Sequence, residues 1–227
     1  LLLYRRLPRA IETVDHDPAP AKPLGRSRRI VLTLAALFSL DAFAGGLVVQ
    51  SLLALWLFER FGLSLATAGA IFFWTGVLSA LSYFAAAWTA ERIGLINTMV
   101  FTHLPANLCL ALVPFAPSLP LAITLLLVRS ALSQMDVPTR TSYVMAVVAP
   151  EERPAAACVT SVPRSLAAAA SPALAGAMLA ASGFGWPLVL AGGLKAAYDL
   201  LLLAMFRNVR PPEKRPDAIP GPEPSGS

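Results

Sequence analysis

Two cysteines and two histidines are all the sequence offers of the residues that most often hold metals or act as nucleophiles and bases, and their spacings carry no chemistry. Cys109 and Cys158 each lie inside an apolar run with no Cys or His at ligand spacing, so both read as small buried hydrophobes; no disulfide framework and no metal site is implied. There is no His-Glu-x-x-His and no Gly-x-Ser-x-Gly, and neither His16 nor His103 has a plausible nucleophile partner, so nothing points to an enzyme. A Gly-x-x-x-x-Gly-Lys-Ser/Thr phosphate loop is also missing, which excludes ATP as a driving force within the chain and leaves no cofactor implied. Charge is scarce as well: 14% of the 227 residues, where a soluble domain has about a quarter.

What replaces charge is apolar surface. Hydrophobic residues make up 56% of the chain and the mean hydropathy is +0.66. They fall in runs of roughly 20, the length a helix needs to cross about 30 Å of hydrocarbon. This is the composition of an all-α integral membrane protein, with the lipid bilayer as its first partner. The net charge of +5 is spread over short flanks between apolar runs and forms no continuous patch, which argues against nucleic acid.

Six spans are expected, at about 29–58, 65–89, 95–116, 119–148, 155–181 and 186–206. Charge-plus-glycine turns at Glu59-Arg60-Phe61-Gly62 and Glu91-Arg92-Ile93-Gly94 end the first two, and proline-rich turns separate the others. The opening Leu1-Leu2-Leu3-Tyr4 followed by Arg5-Arg6 reverses the order of a signal peptide and resembles the end of an earlier membrane helix, so the chain is expected to be a fragment lacking its N-terminal part. Residues 1–28 are thus that helix end plus a cytoplasmic linker, 29–206 a six-helix transmembrane domain, and the proline-rich 207–227 a disordered cytoplasmic tail. Of the 18 Lys and Arg, 13 lie in the linker, the tail and the turns at Arg92 and Arg153, all on one face of a six-span topology, with Arg60 alone opposite. The positive-inside rule makes that face, and both termini, cytoplasmic, in a plasma or inner membrane. Small residues such as Ala42, Gly46, Gly69, Gly76, Gly176 and the run Ala167 to Ala170 are expected to let helix backbones approach closely.

Several charges remain inside spans, where each costs at least about 2.5–3.5 kcal/mol on insertion scales and needs a partner, water or a function. Asp41 stands 12–13 residues after Arg28 and Arg29, roughly 18–20 Å along its helix, with no base on the same helix to pair it. It is expected to line a cavity or to pair across helices. Arg129, Asp136 and Arg140 share one face of the fourth span, with Ser133 and Tyr143 nearby, forming either a polar stripe along a watery cavity or an intrahelical structural ladder. Pro138 should bend that helix beside Asp136. Arg164, in the fifth span, is expected at a depth similar to Arg140. Lys195 and Asp199, four apart on the sixth, read as a self-neutralising structural pair, and His103, four before Asn107, as a hydrogen-bonded interior residue.

The turns carry a family likeness. Ala90-Glu91-Arg92-Ile93-Gly94 resembles the acidic-Arg-x-Gly core of the loop signature of the major facilitator superfamily of secondary transporters, with Leu95 and Ile96 where basic residues are usual. Arg129, followed 24 residues later by Arg153 in Pro150-Glu151-Glu152-Arg153, resembles that family's embedded arginine and Pro-Glu-Glu-Arg turn, although Ser133-Gln134 stands where Gln-Gly is usual. Ser171-Pro172-Ala173-Leu174-Ala175-Gly176 is similar to a weakened Gly-Pro-x-x-Gly-Gly motif. The resemblance covers residues 29–206 and is to the second six-helix half of such a transporter. It implies alternating access for a small organic solute, in which the first and fourth spans line a central cavity, and a missing N-terminal six-helix half as partner. A solute pathway of Asp41, Arg129, Asp136, Arg140 and Arg164 follows, with Asp136 as candidate proton-coupling carboxylate and Glu91, Arg92 and Gly94 as a gating turn or a simple topology-setting one. The alternative function is a non-transporting scaffold or partner subunit.

Overall fold

The computed structural model describes residues 23–206 except 26, 134–142 and 146, and among these every regular element is helical. The helices are α1 (Arg28–Gly46), α2 (Gln50–Phe61), α3 (Leu65–Ile93), α4 (Leu95–Leu112) with a 3-10 turn at Val113–Phe115, α5 (Leu119–Ser133), α6 (Arg153–Ala181) and α7 (Trp186–Phe206).

The first expected span is not one unbroken helix. It divides at Leu47–Val49, where Val49 is extended (φ −67°, ψ 147°) between α1 and α2. Two glycines followed by two β-branched valines are poor helix formers, and the break falls where Gly45-Gly46 meets Val48-Val49. The second expected span continues four residues beyond 89, to Ile93, and the fifth begins at Arg153, behind a 3-10 turn at Pro150–Glu152. The sixth lies where expected. Of the fourth, α5 and a short helical stretch at 143–145 are described.

Among the described residues, three stretches are long and apolar enough to cross a membrane, namely Arg28–Phe61, Leu65–Ile93 and Trp186–Met205, and two shorter apolar helices cover Val100–Phe115 and Leu119–Ser133. The 29 residues of α6 are long enough, but Arg164, two internal prolines and its serines dilute its apolarity.

Packing is closest between α1 and α6 and between α4 and α7. Both pairs are set by glycine. A Cβ on Gly46 would overlap the Ser171 hydroxyl and stand 2.6 Å from the Ala168 carbonyl oxygen, and one on Gly192 would stand 2.7 Å from both the Ala111 methyl and the Asn107 carbonyl oxygen. Gly46 and the alanine run of α6 thus form the close contact expected of them, whereas Gly69, Gly76 and Gly176 meet nothing within 4 Å.

Among the described residues the buried apolar side chains form two clusters. One cluster, built around Trp56, Leu110, Leu126 and Leu188, occupies the end of the bundle near the α2–α3 and α6–α7 turns. The other, around Leu34, Phe38, Tyr143, Tyr198 and Leu202, fills the opposite end. Between them α1, α4, α6 and α7 carry Asp41, His103, Asn107, Arg164, Lys195 and Asp199, so a charged layer separates two greasy ones.

Candidate functional site: a charged pocket between three helices

Asp41 sits on the buried face of α1, in line with Leu34, Leu37 and Phe38. Beyond it, Gly45 and Gly46 remove side-chain bulk where α7 and α6 come near, and a Cβ on Gly45 would lie 3.7 Å from the Lys195 ammonium. The space left is a pocket of about 370 Å³ lined by Asp41, Ala42, Gly45, Gly46, Arg164, Ser165, Ala168 and Lys195. Inside it Lys195 Nζ donates to Asp41 Oδ1 at 2.5 Å, with 11% and 8% of the two side chains exposed. Burial this deep makes the pair strongly interdependent, because either charge alone would face a low-dielectric wall. Arg164 is exposed on α6 and gives the lining a net positive charge of one.

Asp41 therefore pairs across helices and lines a cavity at once, and the expected Lys195–Asp199 pair does not form. The two are four apart on α7, but they turn to different neighbours. Asp199 is fully buried against α4, where His103 Nδ1 donates to Oδ1 at 2.9 Å and Asn107 Nδ2 donates to Oδ2 at 2.8 Å. The Tyr198 ring packs edge-on against His103. Two neutral-capable donors already satisfy the carboxylate, so the lysine is left for α1. His103 is the hydrogen-bonded interior residue its position implied.

Arg129 is brought to a different place. It lines a second pocket, of about 230 Å³, with Gln50, Thr75, Ser79, Ser130 and Ser133 between α2, α3 and α5. Its Nε is buried without a hydrogen-bond partner among the described residues. Ser133 shares this pocket, whereas Tyr143 is buried in the apolar cluster with Phe38 and Val144. Asp136, Pro138 and Arg140 lie outside the described residues, so the polar stripe is traced only at Arg129 and Ser133.

At the α3–α4 turn, Gly94 has φ +85°, a conformation that favours glycine, and its N–H closes α3 on the Ala90 carbonyl at 2.9 Å. Glu91 and Arg92 are exposed there, and the Arg92 guanidinium lies 4.0 Å from the centre of the Trp88 ring.

Sequence reasoning missed two features. From the sequence Lys195 reads as already neutralised, although its spacing from Asp199 matches that of His103 and Asn107, the signal of two four-residue pairs that interlock between helices. Glu152 was read only as part of a turn. It is buried, and its two oxygens accept the backbone N–H groups of Gly25 (3.0 Å) and Ser27 (3.1 Å), placing a carboxylate at the N-terminus of α1 where the helix dipole favours it.

The sequence pattern of the Major Facilitator Superfamily matches residues 12–225. The chain belongs to that family. None of the curated proteins searched matches it. Members of the superfamily are transporters, not enzymes, and with its long apolar helices this one is an integral membrane protein of transporter type.

Proposed function

We propose that the protein carries a small organic solute across the membrane by alternating access, as a secondary active or facilitative transporter, and that the pocket between α1, α6 and α7 is part of the pathway. The carrying observation is the buried Lys195–Asp41 pair beside the exposed Arg164 in one cavity, at the level that divides the two apolar clusters. Ionisable groups in such a layer are expensive, and transport gives them a use.

In this reading the chain is the second six-helix half, with six spans and both ends on the cytoplasmic side of the plasma membrane. A facing six-helix half closes the pocket; the exposed small-residue face of α6 beyond it, with Ala169, Ala173 and Ala177, suits close approach of a neighbouring helix. Arg129, Asp136 and Arg140 extend the pathway along the fourth span, and Asp136 is the coupling carboxylate if the transport is proton-driven. Glu91, Arg92 and Gly94 form a cytoplasmic gating turn, supported by an exposed guanidinium whose resting contact, the Trp88 ring, is weak enough to exchange.

The test is flux from the complete gene expressed in cells, measured with labelled organic acids, amines and sugars against a vector control. At least one solute should move above control and should lose most of its flux in Arg164→Gln. Absence of flux for the whole panel would favour the scaffold or partner-subunit role instead. For coupling, Asp136→Asn should abolish pH-driven accumulation and leave exchange; an unchanged pH dependence would remove Asp136 from that role.

A further inference from the structure

Arg164 lines two cavities of opposite character. On one side is the charged pocket with Lys195 and Asp41. On the other is a cavity of about 170 Å³ walled by Phe38, Val144 and Met145, with the Thr160 and Ser161 hydroxyls at its side. Lys195 is held by Asp41, and Arg164 has no ion-pair or hydrogen-bond partner among the described residues. A guanidinium at the junction of a cationic chamber and a greasy one fits a ligand with an oxyanion at one end and an apolar body at the other. An apolar volume of this size suits a chain of about five methylenes or one ring. A cationic solute would meet a like charge at Arg164 in a lining whose net charge is already positive.

We infer that the transported solute is a small amphiphilic organic anion, whose carboxylate or comparable oxyanion binds Arg164 with Lys195 behind it and whose apolar portion lies against Phe38, Val144 and Met145. This deepens the transport reading of the same pocket and depends on it. Asp41 then sets the strength of the site: by holding Lys195 it keeps the second cation from the ligand, which prevents an anion from binding too tightly to be released. Substitution of Asp41 by a neutral residue should therefore strengthen anion binding, the opposite of what a cation carrier would show.

Equilibrium dialysis of labelled hexanoate, acetate and hexylammonium tests this, using the full chain in phosphatidylcholine nanodiscs with empty nanodiscs as the blank. Hexanoate should bind saturably and at least about tenfold more tightly than acetate, since each buried methylene contributes roughly fourfold. Arg164→Gln, at an exposed position that leaves the packing intact, should weaken hexanoate at least about tenfold. Asp41→Asn should tighten it several-fold, and Phe38→Ala should weaken hexanoate while leaving acetate unchanged. Preferential binding of hexylammonium, hexanoate binding indifferent to Arg164→Gln, or no saturable binding of either anion would overturn the inference. An anionic lipid headgroup offers the same oxyanion. Displacement of hexanoate by added phosphatidylglycerol would give the site to lipid and also overturn it, and the inference predicts none. The transport reading fails separately, by absence of flux for every solute class; flux of amines or sugars alone would keep transport and discard the anion.

Discussion

Lys195 and Asp199 are one helical turn apart on α7, yet the structure puts them to opposite uses. Lys195 looks into a cavity and holds a partner on α1; Asp199 is sealed against α4 by two side-chain donors. The chemistry of the two residues does not decide this, since either could have neutralised the other. The space beside them does. Between α1, α6 and α7 the charged side chains face a pocket, whereas Gly192 draws α4 and α7 so close that even a methyl group would overlap the Asn107 backbone. A charge pair beside a cavity can exchange partners with a solute. One in a close-packed interface can only hold the interface together.

The strongest way to break this contrast is at the sealed cluster. Asp199→Leu strands the His103 and Asn107 donors, each costing about 1–3 kcal/mol, so thermal unfolding in detergent should show a loss of about 2–6 kcal/mol. Replacing His103, Asn107 and Asp199 together by apolar residues of matched size should recover most of that and leave transport intact. Transport lost from a stable triple variant would mean that the cluster works and does not merely lock. Next in size, Gly46→Val should cost about 1–3 kcal/mol by forcing α1 from α6, and should impair transport more than Gly192→Ala at equal stability, because only the former deforms the pocket. Asp41→Asn should cost about 1–2 kcal/mol, since Lys195 loses its counter-charge beside the pocket and keeps only a weaker hydrogen bond to the amide oxygen, while clearly altering transport kinetics. The smallest effect belongs to Arg92→Ala, about 0.5–1 kcal/mol for the lost ring contact, with a slower transport rate if the turn gates. An unchanged rate and unchanged cytoplasmic-side labelling would leave it a simple turn.

Helix positions were the most legible part of the sequence, because they follow from local patterns: apolar runs, Gly62 and Gly94 after charged ends, and prolines in the turns. The break at Leu47–Val49 was present as Gly-Gly-x-Val-Val but was masked by the continuous apolarity around it. The membrane character and the family likeness were equally readable, the first from composition and the second from turns whose residues stay fixed in order. Partner choice was not. Asp41 and Lys195 are separated by 154 residues, and nothing local marks them as neighbours. In the sequence Asp199 reads as satisfied by its own helix only because donors on α4 cannot be seen from α7. Likewise Arg129 was grouped with Asp136 and Arg140 by rotation around one helix, but it faces Ser79 and Gln50 across a different interface from the one that gathers Asp41 and Arg164.

The central claim is that the Asp41–Lys195–Arg164 pocket is a water-accessible solute path and the Asp199 cluster is not. Single cysteines decide it most directly, placed in full-length protein whose Cys109 and Cys158 have been replaced by serine and alanine. Ser165→Cys, on the pocket wall, should react with a membrane-impermeant thiol reagent and be protected by transported solute. Ala106→Cys, fully buried on α4 beside the sealed cluster, should remain unreactive in the same folded, inserted protein. An unreactive Ser165→Cys, or equal labelling of both positions, would contradict the account.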